Sequence, residues 1–133
     1  MDTNCVQVFT SDGQYLYSIG DSGHNDRQFK DPRGLAVDHE DHLLVCDSDN
    51  HRVQVFTEDG RFVTFGCHGK EEGEFDRPQD VAATKDGRIY VTDYFNNKVQ
   101  AFEITQPRRY ASSLPLMLPA LSESTLCSVN TNQ

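Results

Sequence analysis

Histidine, cysteine and a recurring aspartate are the residue types in this chain that could do chemistry, and their spacing limits what that chemistry could be. Five histidines (His24, His39, His42, His51 and His68) offer metal ligands, but no two of them show HExxH or comparable spacing. They read as solvated turn residues, and no metal or other cofactor is expected. Cys67 beside His68 sets a thiol next to a base, yet adjacent loop residues rarely reach nucleophile geometry and no third orienting group is evident. Cys5, Cys46, Cys67 and Cys127 lack CxxC spacing and read as free thiols, as suits a reducing compartment. Asp47 and Asp93 each precede an Asn-containing turn and sit 46 positions apart. Their side chains can accept hydrogen bonds from nearby backbone N–H groups, so both read as structural turn caps rather than an acid–base pair. No catalytic residue is expected.

The same 46-residue offset runs through the elements that carry these residues. Pro32 meets Pro78, Val53 meets Val99, Phe56 meets Phe102 and Phe29 meets Phe75, while Val6-Gln7-Val8-Phe9 aligns with Val53-Gln54-Val55-Phe56 at an offset of 47. A repeat near this length, made of short strand-like runs, marks a propeller blade. Residues 5–10 and 15–19 read as strands joined at Asp12-Gly13, a pair suited to tight hairpins. Four strands follow at 34–38, 43–47, 52–57 and 61–65, then three more at 81–84, 88–93 and 98–103. Leu35-Ala36-Val37 and Leu43-Leu44-Val45-Cys46 are apolar on both faces, as in a sheet covered from both sides. In the next strand Val53 and Val55 should face one way and Phe56 the other.

Composition bounds the partners. The chain has 133 residues, 36% hydrophobic and 25% charged, with a net charge of −9. Residues 1–105 hold 20 of the 21 acidic side chains against 10 Lys and Arg. Such acidity, to which Asp49 contributes on the rim itself, does not favour general phosphate binding, which rests on Lys and Arg. The N-terminus lacks the apolar core of a signal peptide, and no run approaches a membrane span. A cytoplasmic location and no membrane partner are expected.

The order strand, Asp, Asn-containing turn, basic residue, Val-Gln-Val-Phe, Asp-Gly, apolar strand, Gly, polar loop with Phe, Pro resembles the NHL repeat. Phe29-Lys30-Asp31-Pro32-Arg33-Gly34-Leu35-Ala36-Val37-Asp38 is similar to its opening; Phe75 to Ala82 matches with Asp80 where glycine is usual. The wording is most similar to the C-terminal propeller of tripartite-motif proteins. The resemblance implies an all-β, incomplete propeller of about two and a quarter blades of four-stranded antiparallel sheet: 4–20 a partial blade, 23–66 a full one and 69–103 a third, partial one. Residues 104–133, Ser/Leu/Pro-rich and broken by Pro115 and Pro119, are expected to be a disordered tail that suits neither helix nor interior strand. A fragment or alternatively ended product of a longer protein is the expectation. The family's zinc binding and ubiquitin-ligase activity are not carried over, because no RING finger, B-box or coiled coil is present in these residues.

Function then falls on a rim. The binding candidates are Arg33, Asn50, His51, Arg52, Arg77, Tyr94, Phe95, Asn96, Asn97 and Lys98, in which aromatics stand beside amide and basic groups. The resemblance implies a noncatalytic interaction module that binds protein, as the partner-recruiting propellers of tripartite-motif ubiquitin ligases do. An RNA-binding regulator is one alternative, opposed by Glu71, Glu72, Glu74 and Asp76 on the same rim; a fragment of a propeller enzyme such as an amidating lyase is another. Open blade faces should also promote self-association, with Val6, Val8 and Phe9 exposed at one end and Ile89, Val91 and Val99 at the other.

Overall fold

The computed structural model describes residues 4–57, 62–105, 116–119 and 129–132. Its first unit is the hairpin of β1 (Val6–Phe9) and β2 (Tyr15–Ile19), joined by a tight turn in which Gly13 holds a positive φ of 90°. Two short parallel pieces follow, β3 (Asp21–Ser22) and β4 (Gln28–Phe29). The second unit is a full antiparallel meander: β5 (Pro32–Val37), β6 (Leu43–Asp47), β7 (Arg52–Phe56) and β8 (Phe62–Phe65). The third contains β9 (Pro78–Ala83), β10 (Arg88–Asp93) and β11 (Lys98–Thr105). These are the sheets of an incomplete β-propeller, and their units follow the sequence repeat.

Alternation along each strand explains the stacking, because successive side chains point to opposite faces. Leu44 and Cys46 of β6, with Val53 and Val55 of β7, join Phe65, Phe75, Val81, Ile89, Val91 and Phe102 in one core between the second and third blades. Val45 and Phe56 face the other way and pack with Val6 and Phe29 between the first and second. The central blade is therefore apolar on both faces, as its runs require. Phe65, Phe75 and Phe102 form a triad of tilted rings with centroids 4.8–6.2 Å apart.

The first strands of the second and third blades run so close that Gly34 of β5 has no room for a side chain. A Cβ there would lie 2.5 Å from the Asp80 Cα of β9. Asp80 holds the corresponding position in the third blade, where it is exposed.

Three expectations change, and none concerns the tail, which falls largely outside the described residues. Two four-residue pieces of it pair: β12 (Leu116–Pro119) along β11 and β13 (Val129–Asn132) along β8. Both lie at sheet edges, where a proline such as Pro119 costs no interior ladder bond. Val6, Ile89 and Val91 are buried rather than open, because alternation points them at the neighbouring blade; Val8 is half-buried, and Phe9 and Val99 are exposed as expected. Leu35 and Val37, on the face of β5 turned from the third blade, are open unforeseen, as are Tyr15, Leu16 and Tyr17 of β2. Cys5 and Cys46 are free, but Cys67 is disulfide-bonded. The Cys46 thiol is pushed up to about 12 by burial, then by Asp80 and Asp47 nearby.

Candidate functional site: a rim cleft between two blades

Each rim loop is held from beneath by a buried aspartate. Asp47 ends β6 and leads into a 3-10 turn, Ser48–Asn50, whose backbone N–H groups it does not cap with its side chain. Its carboxylate instead accepts from Lys30 N–H at 2.7 Å, Asn50 Nδ2 at 2.9 Å, Arg52 Nε at 2.8 Å and Gln54 Nε2 at 3.2 Å. Asp93 repeats this before Tyr94–Asn96, accepting from Asp76 N–H at 2.7 Å, Asn96 Nδ2 at 2.8 Å and Gln100 Nε2 at 3.0 Å. Both aspartates thus tie their own turn to the preceding inter-blade loop. Gln54 and Gln100 complete the device: each donates to a loop carbonyl, Gln28 or Glu74, and accepts a loop N–H, from Arg27 or Gly73.

These bonds sort the rim candidates. Asn50 donates to Gly23 O, Asn96 to Gly69 O, Arg52 to Asn25 O and Gln28 O, and Lys98 to Lys70 O, so their polar groups hold loops. Asn97 and His51 occupy the left-handed position that closes each turn, at φ 56° and 55°. Arg33, Arg77, Tyr94 and Phe95 come together instead. With Asp31, Ser48, Asp49 and Gln79 they line a cleft of about 530 Å³ between the second and third blades.

The cleft presents an exposed aromatic corner on a charge-balanced floor. Tyr94 and Phe95 meet edge to face at 5.1 Å, and the Arg77 guanidinium lies 5.0 Å from the Phe95 centroid. Arg77 also faces Asp49 at 3.5 Å, and Arg33 pairs with Asp31 at 2.9 Å. Gln79 donates to Ser48 Oγ and to Arg77 O, both at 3.3 Å. Asp31 and Arg77, which precede Pro32 and Pro78, hold positive φ of 54° and 56°. Such left-handed geometry costs a non-glycine residue about 1–3 kcal/mol and gathers where a site is fixed by its surroundings.

Beside the cleft, His51 and His68 stack with ring centroids 4.1 Å apart, and both face Asp76 Oδ1, at 3.8 and 3.7 Å. His51 Nδ1 accepts Arg77 N–H at 3.1 Å. Burial first, then the neighbouring His68, lowers the His51 pKa below the ordinary histidine range. Sequence spacing concealed this grouping, because the three residues come from a turn of one blade and both ends of the following loop. Asp31, Ser48 and Gln79 were not among the binding candidates, and Asp49 stood only as a rim acid opposed to phosphate; the alignment of Asp31 with Arg77 was the available signal.

The family described as NHL repeat matches residues 29–56 and 75–102, the spans that run from the end of one inter-blade loop through the third strand of each blade. Among curated proteins, the chain is similar to Protein brain tumor of Drosophila melanogaster, 38% identical over 61 residues, 45% of this chain and 6% of that protein. It is 42% identical over 48 residues to the B-box type zinc finger protein ncl-1 of Caenorhabditis elegans, 36% of this chain and 6% of that protein. Over 55 residues it is 47% identical to Protein wech of Drosophila melanogaster, 41% of this chain and 6% of that one. The matched stretches thus span a small fraction of these relatives' length. Repeat, sheets and relatives agree: residues 29–56 and 75–102 are NHL repeats, carried on the sheets of an incomplete β-propeller, and the chain is similar over part of its length to the relatives named above.

Proposed function

We propose that this chain is a noncatalytic interaction module that takes a segment of a protein partner into the cleft between its second and third blades. The observation that carries the reading is the exposed Tyr94–Phe95 corner with Arg77 laid against Phe95. Aromatic and arginine side chains are the groups that most often dominate protein interfaces. Charge balance favours a polypeptide over a polyanion, since Arg33 and Arg77 are each opposed by an aspartate of the same cleft. A nucleic acid would have to displace Asp31 and Asp49 before its phosphates met either guanidinium. The cleft's serine hydroxyl, Ser48 Oγ, accepts from the Gln79 amide, an arrangement that accords with binding.

The test uses immobilised peptides that carry one aromatic or aliphatic anchor among mixed charges, probed with the full chain. A subset should bind, and Phe95→Ala should weaken that binding about tenfold or more, a loss of about 1.4 kcal/mol. A parallel titration uses a single-stranded RNA oligonucleotide at rising salt. Salt-sensitive RNA binding that is lost with Arg33→Ala and Arg77→Ala, without peptide binding, would replace the protein reading by the RNA one. Binding that is indifferent to all three substitutions would remove the cleft as the site.

A further inference from the structure

We propose that His51, His68 and Asp76 form a binding site for a borderline divalent cation such as Zn²⁺, built at the junction of the second and third blades and beside the cleft. Two imidazole nitrogens and one carboxylate oxygen are a donor set that suits zinc and related metals, with a coordination position left open. The three ligand atoms lie within 4.8 Å of one another. Around a four-coordinate zinc they would stand about 3.3–3.5 Å apart. His68 is exposed, with 65% of its side chain accessible, so the closure asked of the site would fall on a side chain at the surface.

The main chain beneath all three is already fixed. His51 closes its turn through its N–H to Ser48 O at 3.0 Å. Asp76 donates its N–H to buried Asp93 and accepts Phe95 N–H at 3.2 Å. His68 pairs with Phe75 as an isolated parallel bridge, flanked by Phe75 N–H to Cys67 O and Gly69 N–H to Phe75 O. Fixed backbones of this kind are what a preorganised metal site needs. Cation binding at His51 Nδ1 would replace its hydrogen bond from Arg77 N–H, and the Arg77 charge is drawn aside toward Asp49.

The preceding junction supplies an internal comparison. The repeat places Asn4, Ser22 and Lys30 where His51, His68 and Asp76 stand. There Asn4 Nδ2 donates to Ser22 Oγ at 3.2 Å, an ordinary polar contact, and a lysine occupies the carboxylate's place. All three positions change to ligand types together at the second junction and not at the first. A shared scaffold demand would not produce that difference.

The experiment is a titration of the full chain with Co²⁺, read by its d–d absorption, with Zn²⁺ as competitor and calorimetry for stoichiometry. One equivalent per chain should bind with micromolar affinity, and Zn²⁺ should displace Co²⁺. His68→Ala and Asp76→Asn should each weaken binding about tenfold or more, and His24→Ala should leave it unchanged. A thermal melt of each variant separates loss of ligand from loss of fold. Because His68 is exposed, His68→Ala decides the matter if Asp76→Asn unfolds. Absence of a cobalt spectrum at millimolar metal would overturn the proposal, as would binding that His68→Ala leaves intact.

Discussion

Asp47 and Asp93 hold corresponding places in successive blades, yet among the described residues Asp47 alone is joined by a guanidinium. In the third blade Lys98 stands in place of Arg52 and reaches the Lys70 carbonyl, leaving Asp93 with Asp76 N–H, Asn96 and Gln100 as donors among the described residues. Removing Asp47 strands a part-buried arginine and three further donors, a loss of about 3–5 kcal/mol by analogy with broken buried pairs. Removing Asp93 orphans neutral donors only, about 1–3 kcal/mol. Urea melts should therefore rank Asp47→Ala as more damaging than Asp93→Ala, and the reverse order would refute the staple account. His51 allows a second test at this scale. Its pKa is lowered in the folded chain, so just below the ordinary histidine range the unfolded chain binds the proton and the folded chain does not. Stability should then rise with pH through that window and fall on acidification. Paired melts of the parent and His51→Asn should show a shallower acid slope in the variant, which keeps a side chain that tolerates left-handed geometry. Equal slopes would mean that His51 protonates as freely in the fold as outside it.

At the scale of the element, sequence showed the strands and their repeat because the period-2 alternation and the 46-residue offset are both local signals. Val53 and Val55 against Phe56 were legible for that reason. The cleft was legible in part: Arg33, Arg77, Tyr94 and Phe95 could be read from their loops. What their neighbours do could not, because Asn50, Arg52, Asn96 and Lys98 are spent on carbonyls about 24–28 residues away in sequence. The same limit hid His68 and Asp76 beside His51. Which apolar residues lie open was misjudged at Ile89 and Val91, since a strand's two faces meet different neighbours. This gives a paired prediction on the two faces of one strand, β11. Phe102→Ala, in the ring triad, should cost about 3–5 kcal/mol, whereas Val99→Ala, at 61% exposure, should change stability by at most about 0.5 kcal/mol. Similar costs for both in chemical denaturation would mean that the third blade packs with the opposite face.

For the whole molecule, the repeat lets one blade report what another lacks. Val81 of the third blade is 5% exposed, covered by the second blade, while its counterpart Leu35 is 53% exposed. Among the described residues the first unit offers that face the hairpin β1–β2, and no strands corresponding to the second blade's β5 and β6 cover Leu35 and Val37. Phe9 and Tyr15 on the first unit and Val99 on the third are likewise open. Each large aliphatic left in water forgoes about 1.5–3 kcal/mol, against a net domain stability of about 5–15 kcal/mol. A chain so built should recover part of that loss by pairing its faces with another copy or with a related propeller. Light scattering of the purified chain across a dilution series, with a thermal melt at each concentration, tests the partial propeller most directly. The account predicts a mass above 15.0 kDa that falls on dilution, a melting temperature that falls with it, and reduced association in the double variant Leu35→Lys, Val99→Lys. A monomer of 15.0 kDa at every concentration, melting sharply at one temperature, would contradict it.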